Sequence, residues 1–196
     1  MELEVELDKF LKIKTNGRDD SNSNFTNYPY EATPYKVLQN LGNSGYITKR
    51  DVIIDYGCGK GRVDFYLAYM TKSKMIGIEY DERLFNSAME NHKKAISASR
   101  VSFVNTCASL YQVPEYVTAV YFFNPFSTTI LKEVLNNIRI SKELNNREIK
   151  LFFYYPSKEY LNFLEKNPDI IYVDSIDCTD LYKEYDKREY IAVYKI

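Results

Sequence analysis

The stretch that most constrains this chain is Val52-Ile53-Ile54-Asp55-Tyr56-Gly57-Cys58-Gly59-Lys60-Gly61-Arg62, an apolar run that enters a loop with glycine at every second position. A second run, Met75-Ile76-Gly77-Ile78-Glu79-Tyr80, follows and ends on an acid. A short apolar run bounded by glycines reads as a buried strand. Glycine allows positive φ and close approach of the backbone to a ligand, while the N-terminus of a following helix offers unpaired N–H groups and positive dipole. Strand, glycine loop, helix and second strand together predict a parallel α/β sheet with a nucleotide-like ligand at the loop.

The glycine spacing discriminates between ligands. A dinucleotide fingerprint needs G-x-G-x-x-G, but Arg62 stands where its last glycine would fall, and no G-K-[ST] follows as in a Walker A loop. What remains resembles motif I of the class I S-adenosylmethionine (SAM) methyltransferases, hydrophobic-D-x-G-x-G-x-G. The resemblance implies that Gly57, Cys58, Gly59 and Gly61 pass under the methionine and ribose, Cys58 by its backbone alone. It also implies that Glu79, with Tyr80 beside it, holds the ribose hydroxyls. Asp55 then either binds the methionine amino group or braces the loop.

Further motifs extend the resemblance from Thr33 to the C-terminus. Thr33-Pro34 looks like the T-P-x-x-V motif of many amino-group methyltransferases, where the threonine contacts the methionine carboxylate; capping of the next helix is the alternative. Tyr121-Phe122-Phe123-Asn124-Pro125-Phe126 resembles [DN]-P-P-[FYW], with one proline in place of two. In-line attack on a methyl group needs an aligned lone pair, so the resemblance gives Asn124 and the adjoining carbonyl the task of holding the amine hydrogens. Phe126, after Pro125, would pack on the substrate. A plain Asn-Pro turn is the alternative. Thr106-Cys107-Ala108 occupies the adenine-binding position, with Cys107 in place of the usual acid, and Cys107 is equally readable as an inert buried thiol.

From Val52 onward, strands are expected at 52–56, 74–80, 101–106, 119–124, 149–156, 170–176 and 189–195, and helices at 61–71, 82–97, 128–144 and 157–166. Ser127 and Ser157 are N-cap candidates. The architecture is a seven-stranded, mostly parallel Rossmann-like sandwich with helices on both faces, and the resemblance implies an antiparallel C-terminal hairpin. Its polar connection is a candidate substrate rim. Ahead of this core at 50–196, residues 1–45 hold a helix near 3–14, a loop over 16–29 with the composition of a mobile segment, and a helix opened by Pro34. Tyr28 and Tyr30, at the loop's end, either close over substrate or simply pack.

At 196 residues a single domain is expected. Net charge of -1 disfavours bulk nucleic-acid binding but leaves room for a local basic face. No run approaches the ~18 apolar residues of a membrane span, and the acidic start lacks a signal peptide's basic region, so a cytoplasmic location is expected. Three scattered cysteines and one histidine indicate neither disulfides nor a metal; His92, beside Lys93 and Lys94, reads as part of a solvated helix face. The resulting expectation is an enzyme, a SAM-dependent methyltransferase acting on a nitrogen of a small molecule or protein side chain. RNA, a hydroxyl acceptor, or a silent SAM-binding partner subunit are the alternatives.

Overall fold

A computed structural model describes residues 2–19, 30–181 and 186–196. After α1 (Glu2–Leu11), the short strands β1 (Arg18–Asp19) and β2 (Tyr30–Glu31) pair antiparallel, an addition to the expected elements. Residues 20–29 of the proposed loop, Tyr28 included, lie outside the described residues, as do 182–185 of the proposed rim. Then come α2 (Tyr35–Asn43), β3 (Val52–Tyr56), α3 (Arg62–Thr71), β4 (Lys74–Glu79), α4 (Glu82–His92), β5 (Val101–Asn105), β6 (Ala119–Phe122), α5 (Thr128–Leu144), β7 (Lys150–Tyr154), α6 (Lys158–Glu165), β8 (Ile171–Asp177) and β9 (Tyr190–Lys195).

The seven core strands lie in the order β5-β4-β3-β6-β7-β9-β8, parallel except that β9 runs antiparallel to both β7 and β8. The expected closing hairpin is present, with β9 inserted inside β8. Strands β3 to β7 read as nearly unbroken apolar runs because helices cover both faces. Ile53, Ala119, Tyr121 and Phe152 share one core with α2 and α3 residues such as Leu38 and Phe65. Ile54, Val120, Phe122 and Phe153 share the other with α5 and α6. In that second core Tyr56, Phe122 and Phe153 stand in register on β3, β6 and β7. Their rings stack with centroids 5.6 and 4.6 Å apart, each contact worth about 0.5–1.5 kcal/mol beyond burial.

Successive strands run outward from β3 in one direction and from β6 in the other, so the order reverses between them. Ligands of open α/β sheets bind outside the carboxyl ends at that reversal. The ends are Asp55-Tyr56-Gly57 and Phe122-Phe123-Asn124, and they touch: a Cβ on Gly57 would lie 2.5 Å from Pro125 Cβ.

Two local expectations give way. Helix α4 stops at His92, short of the expected 97, because the chain turns inward and Ser97 donates from the core to the Phe65 carbonyl at 2.8 Å. His92 is half-buried and not part of a solvated face: Nε2 lies 2.9 Å from the Val101 carbonyl, with Phe65 and Phe103 alongside. Ser157 caps α6 by accepting from the Tyr160 N–H. Ser127 occupies the cap of α5 without that bond.

Candidate active site

The glycine loop is knitted to β4. Gly57 and Cys58 donate to the Ile78 carbonyl at 2.8 and 3.1 Å, and Gly61 donates to the Cys58 carbonyl at 2.8 Å before α3 begins. All three loop glycines have positive φ. A side chain at Gly59, whose φ is +56°, would also run into the Tyr30 ring. Tyr30 is therefore packed on the loop, and its hydroxyl donates to the Thr15 carbonyl at 2.6 Å.

A cavity of about 960 Å³, open solvent included, lies above this loop. Thr33, Asp55, Gly57, Cys58, Glu79, Tyr80, Thr106, Cys107 and Ala108 line it together with Pro125 and Phe126. Those residues come from widely separated segments, and the fold gathers them at one site. Gly59, Gly61 and Asn124, expected at the cofactor, are not among the cavity's lining residues.

Glu79, 4% exposed, closes the floor. Its Oε2 accepts from the Gly59 N–H and its Oε1 from the Asp81 N–H, both at 2.9 Å. Burial raises its pKa above the usual carboxylate range, against those two bonds. The Tyr80 backbone adds a third bond, and the acceptor capacity that remains suits a hydroxyl donor such as a ribose edge.

Asp55, in the cavity wall, and Asp64 form a buried carboxyl pair. Asp55 Oδ2 and both Asp64 oxygens have no donor from elsewhere in the described residues, and a protonated Asp64 donates to the Asp55 carboxylate. Burial pushes Asp55 up to about 7, tempered by Asp64. Burial and then the charge of Asp55 drive Asp64 well above the usual range. A buried carboxylate in the wall of a cavity suits an ammonium group, so the residues present fit the amino-acid end of SAM as well as its ribose.

Thr33 does not cap α2, whose cap position is Pro34 with no side-chain bond. Its hydroxyl lies 3.1 Å from the Tyr121 hydroxyl, and its carbonyl accepts from Arg62 at 3.3 Å. Arg62 itself, 4% exposed, also donates to Thr15 Oγ1 and Asn16 Oδ1 at 2.7 Å each and contacts Glu4. Sequence reasoning used Arg62 only to exclude a dinucleotide loop and assigned Tyr121 no role; both line the cavity.

Asn124 has φ +40°, and both ends of its side-chain amide are bonded within the protein. Its Nδ2 donates to the Tyr155 carbonyl at 2.5 Å and its Oδ1 accepts from the Ser157 N–H at 3.2 Å. Phe126 is 3% exposed and packs edge-on against Tyr56 and Phe122, with only part of its ring in the cavity wall. Phe123, half-exposed, also lines the cavity and is tilted on Tyr154 at 4.7 Å. Cys107 Sγ lies 3.2 Å from Ser109 Oγ.

Comparison with known proteins bears on this geometry. Residues 47–178 match the family model described as a methyltransferase domain. The chain belongs to this methyltransferase family. A protein-lysine N-methyltransferase of Saccharolobus islandicus (strain REY15A) is 30% identical over 77 residues, 39% of this chain and 48% of that protein, so the chain spans about half the length of the curated relative it matches. Among solved structures, a putative RNA methyltransferase from Pyrococcus horikoshii superposes with a TM-score of 0.61 at 16% identity, covering 100% of this chain and 98% of that one. An RNA methyltransferase from Salinibacter ruber, in complex with S-adenosyl-L-homocysteine, has a TM-score of 0.52 at 20% identity, covering 84% and 92%. At those identities the two structures speak for the fold alone. The methyltransferase domain described here is of the SAM-dependent class. No described helix is long and apolar enough to cross a membrane, and the described residues hold no cluster suited to a metal.

Proposed function

We propose that this protein transfers the methyl group of SAM to a nitrogen, on a protein side chain such as lysine or on a small-molecule amine. The observation that carries the reading is the cavity at the sheet reversal, which Asp55 and Glu79 line together with Phe123, Pro125 and Phe126. When bound, SAM supplies an electrophilic methyl group. In this reading Asp55 receives the cofactor's ammonium group and Glu79 its ribose hydroxyls. Thr106, Ala108 and the backbone at Cys107 bound the adenine, since no acid is present there.

A nitrogen acceptor fits the residues better than a hydroxyl. An amine attacks as its neutral base, whereas a hydroxyl needs a general base. The chain's one histidine is held against the Val101 carbonyl, away from the cavity. The name of the Saccharolobus islandicus relative points the same way. Because the Asn124 amide already has two protein partners, its role in this reading is to hold the loop so that its main-chain carbonyl and Pro125 meet the amine.

Incubation with SAM carrying a deuterated methyl group, separately with lysine-rich proteins and with small amines, tests the proposal. Mass spectrometry of the products should show label on nitrogen. Label confined to oxygen, or cofactor binding with no turnover on either pool, rejects the nitrogen-directed reading.

A further inference from the structure

The chain is nearly neutral, yet its lysines are unevenly placed. A second groove, about 1540 Å³ with open solvent included, runs between the end of α1, the glycine loop and the end of α4. Lys9, Lys12, Lys14, Lys60 and Lys94 line it. Only two acids join them, and both are engaged. Asp8 accepts from the Thr15 N–H, Thr15 Oγ1 and the Tyr35 hydroxyl at 2.5 to 2.7 Å. Glu90 is paired with Lys93 at 2.5 Å. Among the described residues, Lys9, Lys12, Lys14 and Lys94 form no ion pair, and all four are exposed.

The groove is held in shape from below. Asn91, 7% exposed, donates to the Lys14 carbonyl at 3.2 Å and to the Lys60 carbonyl at 2.9 Å, and accepts from the Lys14 N–H at 2.8 Å. One buried amide thus fixes two lysine-bearing segments 46 residues apart in sequence (60 minus 14). The Ile96 N–H to Leu11 carbonyl bond at 3.2 Å adds a second tie between the same walls. Lys60 lies 4.9 Å from the Tyr30 ring centroid, and Tyr30 lines the cofactor cavity, so one residue separates groove from cavity.

We propose that this groove docks the phosphate backbone of single-stranded nucleic acid. Among the described residues, every cation lining it is a lysine, a compact point charge suited to phosphates, and no guanidinium fork of the kind that pairs with carboxylates side-on lines it. No exposed aromatic among the described residues lines it for base stacking, so binding is through the backbone and tolerant of sequence. This inference is independent of which atom the enzyme methylates.

The test is fluorescence anisotropy with a labelled mixed-sequence single-stranded RNA, and with a labelled poly-glutamate peptide, over a range of salt. With four or five lysine contacts, the slope of log K against log salt should be about -3 for RNA. A K9S/K14S/K94S variant should bind RNA about tenfold or more weakly with a slope shallower by about 2. Its SAM affinity by calorimetry should be unchanged, which verifies the fold. RNA binding that is undetectable in wild type, or equal in the variant, overturns the proposal. Poly-glutamate bound as tightly as RNA overturns the nucleic-acid assignment.

Discussion

Replacing Glu79 with glutamine isolates what one carboxylate does in this protein. The glutamine is nearly isosteric, but one of its two terminal atoms is a donor. Because Gly59 and Asp81 each donate to a different Glu79 oxygen at 2.9 Å, one of those N–H groups must face an NH₂ and lose its bond. A bond to a charged acceptor is worth about 1.5–3 kcal/mol. At 2–4 °C per kcal/mol for a domain of this size, the apo melting temperature should fall by roughly 3–12 °C. The same exchange removes charge from the surface facing the ribose, so SAM affinity should fall about 10- to 100-fold. Differential scanning calorimetry and titration calorimetry read the two losses separately. A lower melting temperature with wild-type SAM affinity would make Glu79 a loop brace only. Weaker SAM binding with an unchanged melting temperature would show that the lost backbone bond adds nothing to stability.

Three other perturbations probe the rest of the site. Gly59→Ala should remove SAM-dependent thermal stabilisation, since both the positive φ and the Tyr30 ring oppose a side chain; partial recovery in Gly59→Ala/Tyr30→Ala would isolate the ring's share, and a normal thermal response in the single variant would contradict the assignment. Asn124→Ala should depress kcat about 100-fold while leaving SAM affinity within a few-fold, with some loss of stability from its bonds to Tyr155 and Ser157; normal turnover would confine Asn124 to a turn. Asp55, at about 7 in the apo protein, must ionise to receive an ammonium group, so SAM affinity should weaken as pH falls below about 7, by up to about tenfold per unit, with proton release on binding. A folded-state pKa above the unfolded value makes the apo protein lose stability as pH rises from about 4 through about 7; pH-independent titrations between pH 6 and 8 would discount the carboxyl pair.

Local sequence was enough to determine the strands, the glycine loop and the cofactor. Runs such as Val52–Tyr56 and Lys150–Tyr154 are apolar but for Asp55 and Lys150, because both faces are covered, and that property is visible residue by residue. Glu79 was legible too, since it closes the strand next to the loop. Partners distant in the chain were not. That Asp64 lies beside Asp55, that Asn124 is committed to Tyr155 and Ser157, and that Phe126 sits in the core under its own loop all depend on how α3, β7 and α6 pack. His92 gave the same helical signal whether solvated or turned toward Val101. Arg62 reaches Thr15, Asn16 and Thr33 only after α1 folds back over the glycine loop, and the lysine groove exists only where that segment meets α4. Periodicity reports which face of an element is buried; which side chains then meet across the buried face is decided by long-range packing, and in this protein those meetings shape much of the candidate site.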